Sequence, residues 1–176
     1  MGAVKKPNKV KLVVGMISND PNLLLKLEKT LEWRFGPIDF RTALLDFAYT
    51  DYYEPEMGSN LKRQFVSFRK LIDPERLPDI KLYTNKVELQ NSAAKNKPSR
   101  RVNMDPGYLT EGKFVLATTK DHQHRIFLNK GIYAEVTLRY VEKTFLPWDW
   151  SYRDYQTKEY IDIFNEIRRI YIQQLK

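Results

Sequence analysis

The chain contains no cysteine. That excludes disulfide scaffolds, zinc ribbons, iron–sulfur clusters and thiol nucleophiles. Histidine is nearly as scarce: His122 and His124 are the two in the chain, so imidazole chemistry has a single location. Glycine and proline, 7 and 9 residues, are too few for a collagen-like or linker chain. Long hydrophobic runs are missing too. No stretch approaches the ~20 apolar residues of a membrane span. The run from Val10 to Ile17 is too short, and too interrupted by Lys11, for a signal peptide. Gly2 lacks the Ser or Thr that myristoylation wants, having Lys6 in its place. The expectation is a cytoplasmic protein with no membrane partner.

What is present is a chain of 176 residues, 42% hydrophobic, which is one domain's worth with enough apolar surface for a core. We take 1–176 as a single domain, with 1–8 a flexible tail and 92–101 a mobile basic loop. The net charge of +8 is unevenly spread. Residues 1–60 carry 8 basic and 8 acidic side chains, and residues 131–176 carry 7 of each. Residues 61–130 carry 15 basic and 7 acidic, so the whole excess lies there. A segment of that kind attracts a phosphate or a polyanion if its charges also cluster in space.

The patterning predicts an α+β fold. Lys9 to Ser18 is β-rich and nearly continuously apolar, as a buried strand is. Asp20-Pro21 supplies an N-cap and a first helical residue, Leu24, Leu27, Leu31 and Phe35 follow at helical spacing, and Gly36-Pro37 stops the helix. Further strands are expected at Ile38–Tyr49, Lys62–Phe68 and Lys113–Thr119. A hairpin of Arg125–Leu128 and Ile132–Tyr140 turns on Asn129-Lys130-Gly131. Helices are expected over 79–92 and 157–175, and a polar, aromatic loop over Thr50–Asn60. The result is a mixed, largely antiparallel sheet with helices mainly on one face. Its first six elements run in the ferredoxin-like β-α-β-β-α-β order, with an added hairpin and C-terminal helix.

Three stretches carry candidate chemistry. Gly107 to Lys113 fits G-x-x-x-x-G-K, but Phe114 replaces the magnesium-binding Ser or Thr, and a strand pattern follows where a helix should open. A turn entering a strand is therefore expected. Asp105-Pro106-Gly107 reads as a type II turn that leaves Asp105 at a strand end. Thr118 to Arg125 places hydroxyls, Lys120, both histidines and Arg125 in one connection, a set suited to phosphate. His122-x-His124 has metal-ligand spacing, but the surrounding positive charge opposes a cation, so no metal is assigned. Glu135 lies mid-strand opposite the apolar face of Ile132, Ala134, Val136 and Leu138, where it is the best general base if that face lines a pocket.

Several segments look familiar together. They are Asp51-Tyr52-Tyr53, Glu56-Met57-Gly58, Leu61-Lys62-Arg63 and Phe65-Val66-Ser67-Phe68. Val102 to Tyr108, Leu116 to Lys120, His124-Arg125-Ile126 and Gly131 to Leu138 complete the set. Over essentially the whole chain they resemble an uncharacterised family of bacterial proteins of this length, a domain of unknown function. The resemblance implies no reaction, ligand or catalytic residue. Some members carry a GTP-binding label, which the degenerate glycine motif does not support.

The sequence thus leads to three readings. The first is binding of a small phosphate-bearing ligand such as a nucleotide, with hydrolase or transferase turnover. Lys120, His124 and Arg125 would hold the anion, Asp105, Glu135 and His124 would serve acid–base roles, and Tyr108 or Tyr133 would stack a base. The second is an RNA-binding module built on residues 61–130. The third is a noncatalytic interaction protein. No cofactor is assigned. The first reading expects Asp105, His124, Arg125 and Glu135 to converge on one cleft.

Overall fold

A computed structural model describes residues 2–92 and 99–176. The expected loop over 92–101 therefore falls mostly outside the described residues. In chain order the elements are β1 (Lys11–Ser18), α1 (Pro21–Phe35), β2 (Ile38–Arg41) and β3 (Leu45–Asp46), then a short helical segment ending in α2 (Glu54–Met57). Next come β4 (Lys62–Phe68), α3 (Leu77–Gln90), β5 (Asn103–Leu109), β6 (Lys113–Thr118) and β7 (Ile126–Asn129). β8 (Ile132–Val141), β9 (Thr144–Pro147) and α4 (Lys158–Gln174) close the chain. The strands form one antiparallel sheet in the order β2-β4-β1-β5-β6-β8-β7, with β3 added on β4 and β9 on β8.

The α+β class follows from two periodicities. Alternation along β1 sends Leu12, Val14 and Met16 to one face and Val13 to the other. The first set packs with Leu24, Leu27 and Leu31 of α1 and with Ile80 and Val87 of α3. Val13 packs with Phe65, Leu109 and Phe114 beneath Tyr160, Phe164, Ile167 and Tyr171 of α4. Two long helices thus share a face and α4 covers the opposite one, which is why β1 is buried along its whole length. The Asp20 carboxylate accepts from the backbone N–H groups of Asn22 (3.0 Å) and Leu23 (3.1 Å), and α1 ends at Gly36, whose φ of 97° is in the region that favours glycine.

The structure corrects several local expectations. The strand expected at Ile38–Tyr49 is two short ones, and the Thr50–Asn60 loop contains helical turns at Asp51–Tyr53 and Glu54–Met57. Leu138 does not share a face with Val136. Val115 pairs with Val136 and Phe114 with Leu138, so Thr137 is the extra residue of a bulge. The bulge turns Leu138 into the α4 core, leaving Ile132, Ala134 and Val136 toward Leu77 on the α3 side.

The most consequential correction concerns Asp105-Pro106-Gly107. These residues form no turn; they lie inside β5, with Val14 opposite Pro106. Proline removes a ladder donor and sits badly in a central strand. Here the pairing of β5 with β6 covers only Gly107–Leu109 against Phe114–Leu116. Gly107 makes that contact possible, because a Cβ there would stand 2.5 Å from the Val115 carbonyl oxygen. From Pro106 back to Asn103, β5 stays paired with β1 but not with β6. The two strands part in the middle of the sheet. The G-x-x-x-x-G-K stretch accordingly spans the end of β5 and the turn, and Lys113 opens a strand rather than a helix.

Candidate functional site

The parting of β5 and β6 opens a cleft of about 1000 Å³. Asn103 and Asp105 line it from β5, Leu116 to Lys120 from β6 and its continuation, and Glu135 from β8. Lys81, Asn85 and Glu88 enter from α3, and Tyr52 and Tyr53 from the segment before α2. Tyr152 to Tyr155 reach it from the connection before α4. A volume of this order suits a small-molecule ligand.

At the floor lies Arg63, whose side chain is 3% exposed. It donates to Asp105 (3.2 Å) and to Asp154 (3.0 Å). A central sheet position tolerates a guanidinium only when carboxylates answer its charge. Space for it comes from Gly15 on β1: a Cβ there would stand 2.8 Å from Arg63 Nη1. Arg63 Nε and the hydroxyls of Tyr155 and Tyr160 are buried without hydrogen-bond partners among the described residues. Burial pushes the Asp154 carboxyl up, against the pull of Arg63.

A second polar group comes from α3. Lys81 and Glu88 lie seven residues apart, on one helix face. Lys81 Nζ donates to the Met104 carbonyl (2.8 Å), and Glu88 accepts from the Met104 N–H (2.6 Å). The helix thus satisfies both backbone groups of a residue whose neighbours have left the β6 ladder. Burial raises the Glu88 carboxyl to about 7, with Lys81 and the Met104 N–H opposing the shift.

A third group surrounds Glu135, which is 2% exposed. Its carboxylate contacts His124 Nε2 (3.1 Å) and accepts from Arg125 Nε (2.9 Å) and the Thr137 hydroxyl (3.2 Å). Arg125 also donates to the Lys120 carbonyl (3.1 Å) and the Tyr152 hydroxyl (2.8 Å). His124 stacks on Trp150, Trp150 on Trp148, and the Arg139 guanidinium lies over Trp148.

Of the residues singled out in the sequence, Asp105, Glu135 and Lys120 line the cleft. His124 and Arg125 do not line it but are bonded to Glu135. With its side chain 4% exposed, Arg125 is spent on Glu135, Lys120 and Tyr152 within the protein. Tyr108 and Tyr133 lie outside the cleft. Tyr108 packs on the α3 side, and Tyr133 packs against Phe127. Sequence reasoning missed Arg63, Lys81, Glu88, Asp154 and Arg153. A signal existed for two of them, since Lys81 and Glu88 ride beside the apolar stripe of Ile80 and Val87.

Several basic side chains of residues 61–130 are answered by carboxylates from other parts of the chain. Lys62 pairs with Asp46, Arg63 with Asp154, Arg100 with Glu56 and Arg101 with Asp20. Each of those carboxylates lies outside the basic segment. Among the described residues no group of three His, Asp or Glu side chains is placed to hold a metal ion, and no helix is long and apolar enough to cross a membrane.

A family model described as "Domain of unknown function (DUF4416)" matches residues 8–171. No curated protein and no solved structure matches the chain.

Proposed function

The chain belongs to the DUF4416 family, whose description assigns no reaction, and from the cleft itself we propose that the protein binds a small phosphate-bearing ligand such as a nucleotide. One observation carries this reading. Lys120 and Arg153 line the cleft, and among the described residues neither pairs with a carboxylate. Two other cations at the cleft are already answered: Arg63 by Asp105 and Asp154, Arg100 by Glu56. A phosphate is held by cations whose charge is still available.

The surroundings fit. Thr118 and Thr119 line the cleft beside Lys120, and hydroxyls donate to phosphate oxygens. Lys120 Nζ lies 3.2 Å from the Tyr52 hydroxyl and 4.5 Å from its ring centroid. That ammonium holds the Tyr52 hydroxyl below its ordinary pKa. Tyr52, Tyr53 and Tyr152 provide aromatic surface for a planar group in place of Tyr108 and Tyr133. For hydrolase or transferase turnover, Glu88 and Asp105 are the acid–base candidates. Glu88 titrates near neutrality, where proton transfer in both directions is easiest. Glu135 serves to position Arg125 and His124.

A nucleotide panel followed by thermal unfolding and calorimetry tests the reading. Ligand at ~100 times its dissociation constant stabilises the fold by about 2.7 kcal/mol, a rise of roughly 5–10 °C for a domain of this size. Lys120→Ala and Arg153→Ala should each weaken the responding nucleotide about tenfold or more, since each removes a charge-assisted bond. Lys113→Ala should change nothing. A panel with no responding member, or both cleft variants binding as well as the parent, overturns the proposal.

A further inference from the structure

Asp105 Oδ2 accepts from Arg63 Nη1 (3.2 Å) and Asn103 Nδ2 (2.8 Å). Among the described residues Asp105 Oδ1 accepts no hydrogen bond; its near neighbour is Lys81 Nζ, 4.0 Å away. Lys81 gives one N–H to the Met104 carbonyl and has two more to give. The cleft floor therefore presents a fixed acceptor and a fixed donor 4.0 Å apart, on side chains that both line the cavity. Both are rigidly held, Asp105 by two donors and Lys81 by the backbone of β5.

That spacing selects a chemical group. An atom about 2.8 Å from both Asp105 Oδ1 and Lys81 Nζ subtends an angle of about 90°, within reach of a hydroxyl oxygen's donor and acceptor directions. A hydroxyl donates to the carboxylate and accepts from the ammonium in one position. A ligand ammonium there would face Lys81 and Arg63. A second phosphate would face Asp105 and Asp154. An apolar group would leave Asp105 Oδ1 and the two spare Lys81 N–H groups desolvated without hydrogen-bond partners.

We infer that the ligand carries a hydroxyl that lodges between Asp105 Oδ1 and Lys81 Nζ, so that the substrate class is a phosphorylated polyol. A sugar phosphate and the ribose of a nucleotide both supply that chemistry. The inference rests on the phosphate reading above and names the second half of the ligand, Lys120 and Arg153 taking its anionic end.

The test uses the unaltered protein and varies the probe. Calorimetry compares ribose 5-phosphate, glycerol phosphate and adenosine monophosphate with ethyl phosphate, which has no hydroxyl, and with inorganic phosphate. At least one hydroxylated phosphate should bind about tenfold or more tightly than ethyl phosphate, the ratio expected of a hydrogen bond to a charged group. Adenosine monophosphate binding above ribose 5-phosphate marks a nucleotide; equal binding marks a sugar phosphate. Lys81→Met should erase the preference, bringing hydroxylated phosphates down to the level of ethyl phosphate in the same variant, with melting of the unliganded variant checking its fold.

Ethyl phosphate binding as tightly as every hydroxylated member overturns the inference and leaves the phosphate reading standing. Failure of all phosphates, with free ribose or glycerol still binding in a Lys81-dependent way, overturns the phosphate reading and supports the hydroxyl subsite. Failure of phosphates and polyols alike overturns both.

Discussion

Gly15 lies diagonally across from Arg63 on the adjacent strand, and the absence of a side chain on the first is what gives the second its place. A Cβ on Gly15 would stand 2.8 Å from Arg63 Nη1 and 2.9 Å from the Phe65 ring. Glycine normally weakens a strand interior. Here it makes room for the guanidinium that ties β4 to Asp105 on β5 and to Asp154 before α4.

Gly15→Ala should therefore destabilise the protein although alanine suits a strand better than glycine. Neither neighbour yields easily, since Arg63 is held by two carboxylates and Phe65 is fully buried. Overpacking of this kind costs about 1–3 kcal/mol. Urea unfolding should show the midpoint falling with an unchanged slope. An unchanged or raised midpoint contradicts the packing argument.

Glu88 makes stability depend on pH. Its carboxyl titrates at about 7 in the fold against an ordinary 4.5. Between those values the native state binds more protons than the unfolded state. The free energy of unfolding therefore falls as pH rises from about 4.5 to about 7, by about 3 kcal/mol from this group. Glu88→Gln keeps an acceptor for the Met104 N–H and removes the titration. Relative to the parent, the variant should gain stability steadily across that window. Asp154, raised by the same cause, acts alike in both proteins and cancels. A parent-minus-variant difference that is flat with pH rejects the assignment.

Arg125 and Lys120 are neighbours in the sequence with opposite expected behaviour. Arg125→Ala strands the buried Glu135 carboxylate, and breaking a buried pair costs about 3–5 kcal/mol. Glu135→Leu combined with Arg125→Met removes both charges and should recover most of that loss. Lys120→Ala, at an exposed residue, should shift stability by no more than about 0.5 kcal/mol. Equal effects of Arg125→Ala and Lys120→Ala on the melting midpoint show that the Arg125–Glu135 pair is not a buried support.

Much of the fold was legible because local signals agreed with tertiary ones. Asp20, Pro21 and Gly36 bound α1 in the sequence and do so in the structure. Asn129-Lys130-Gly131 turns the β7–β8 hairpin, with Lys130 and Gly131 at positive φ. The apolar stripe Tyr160, Phe164, Ile167 and Tyr171 is the buried face of α4. The candidate site was legible only in part. Asp105, Lys120 and Glu135 stand out in the sequence as polar candidates, and all three line one cleft, although Asp105 lies within a strand and not at a turn.

Periodicity alone determined which residues of each element are apolar together, and so the α+β class and the two-sided burial of β1. Capping and turn residues determined where those elements begin and end. Tertiary structure decided the rest. Pro106 reads locally as a turn, but pairing with β1 over the length of β5 outweighs that preference, and the missing N–H appears instead as a parting from β6. The bulge at Thr137 depends on register between two strands, which no single strand records. The charge of residues 61–130 was correct as a count, yet its partners Asp20, Asp46, Glu56 and Asp154 come from distant segments. Coulombic pairing acts over a few ångströms of space whatever the separation along the chain. For that reason the sequence identified the kinds of charge in the cleft, and only the folded chain decided that, among the described residues, Lys120 and Arg153 line it without a carboxylate partner.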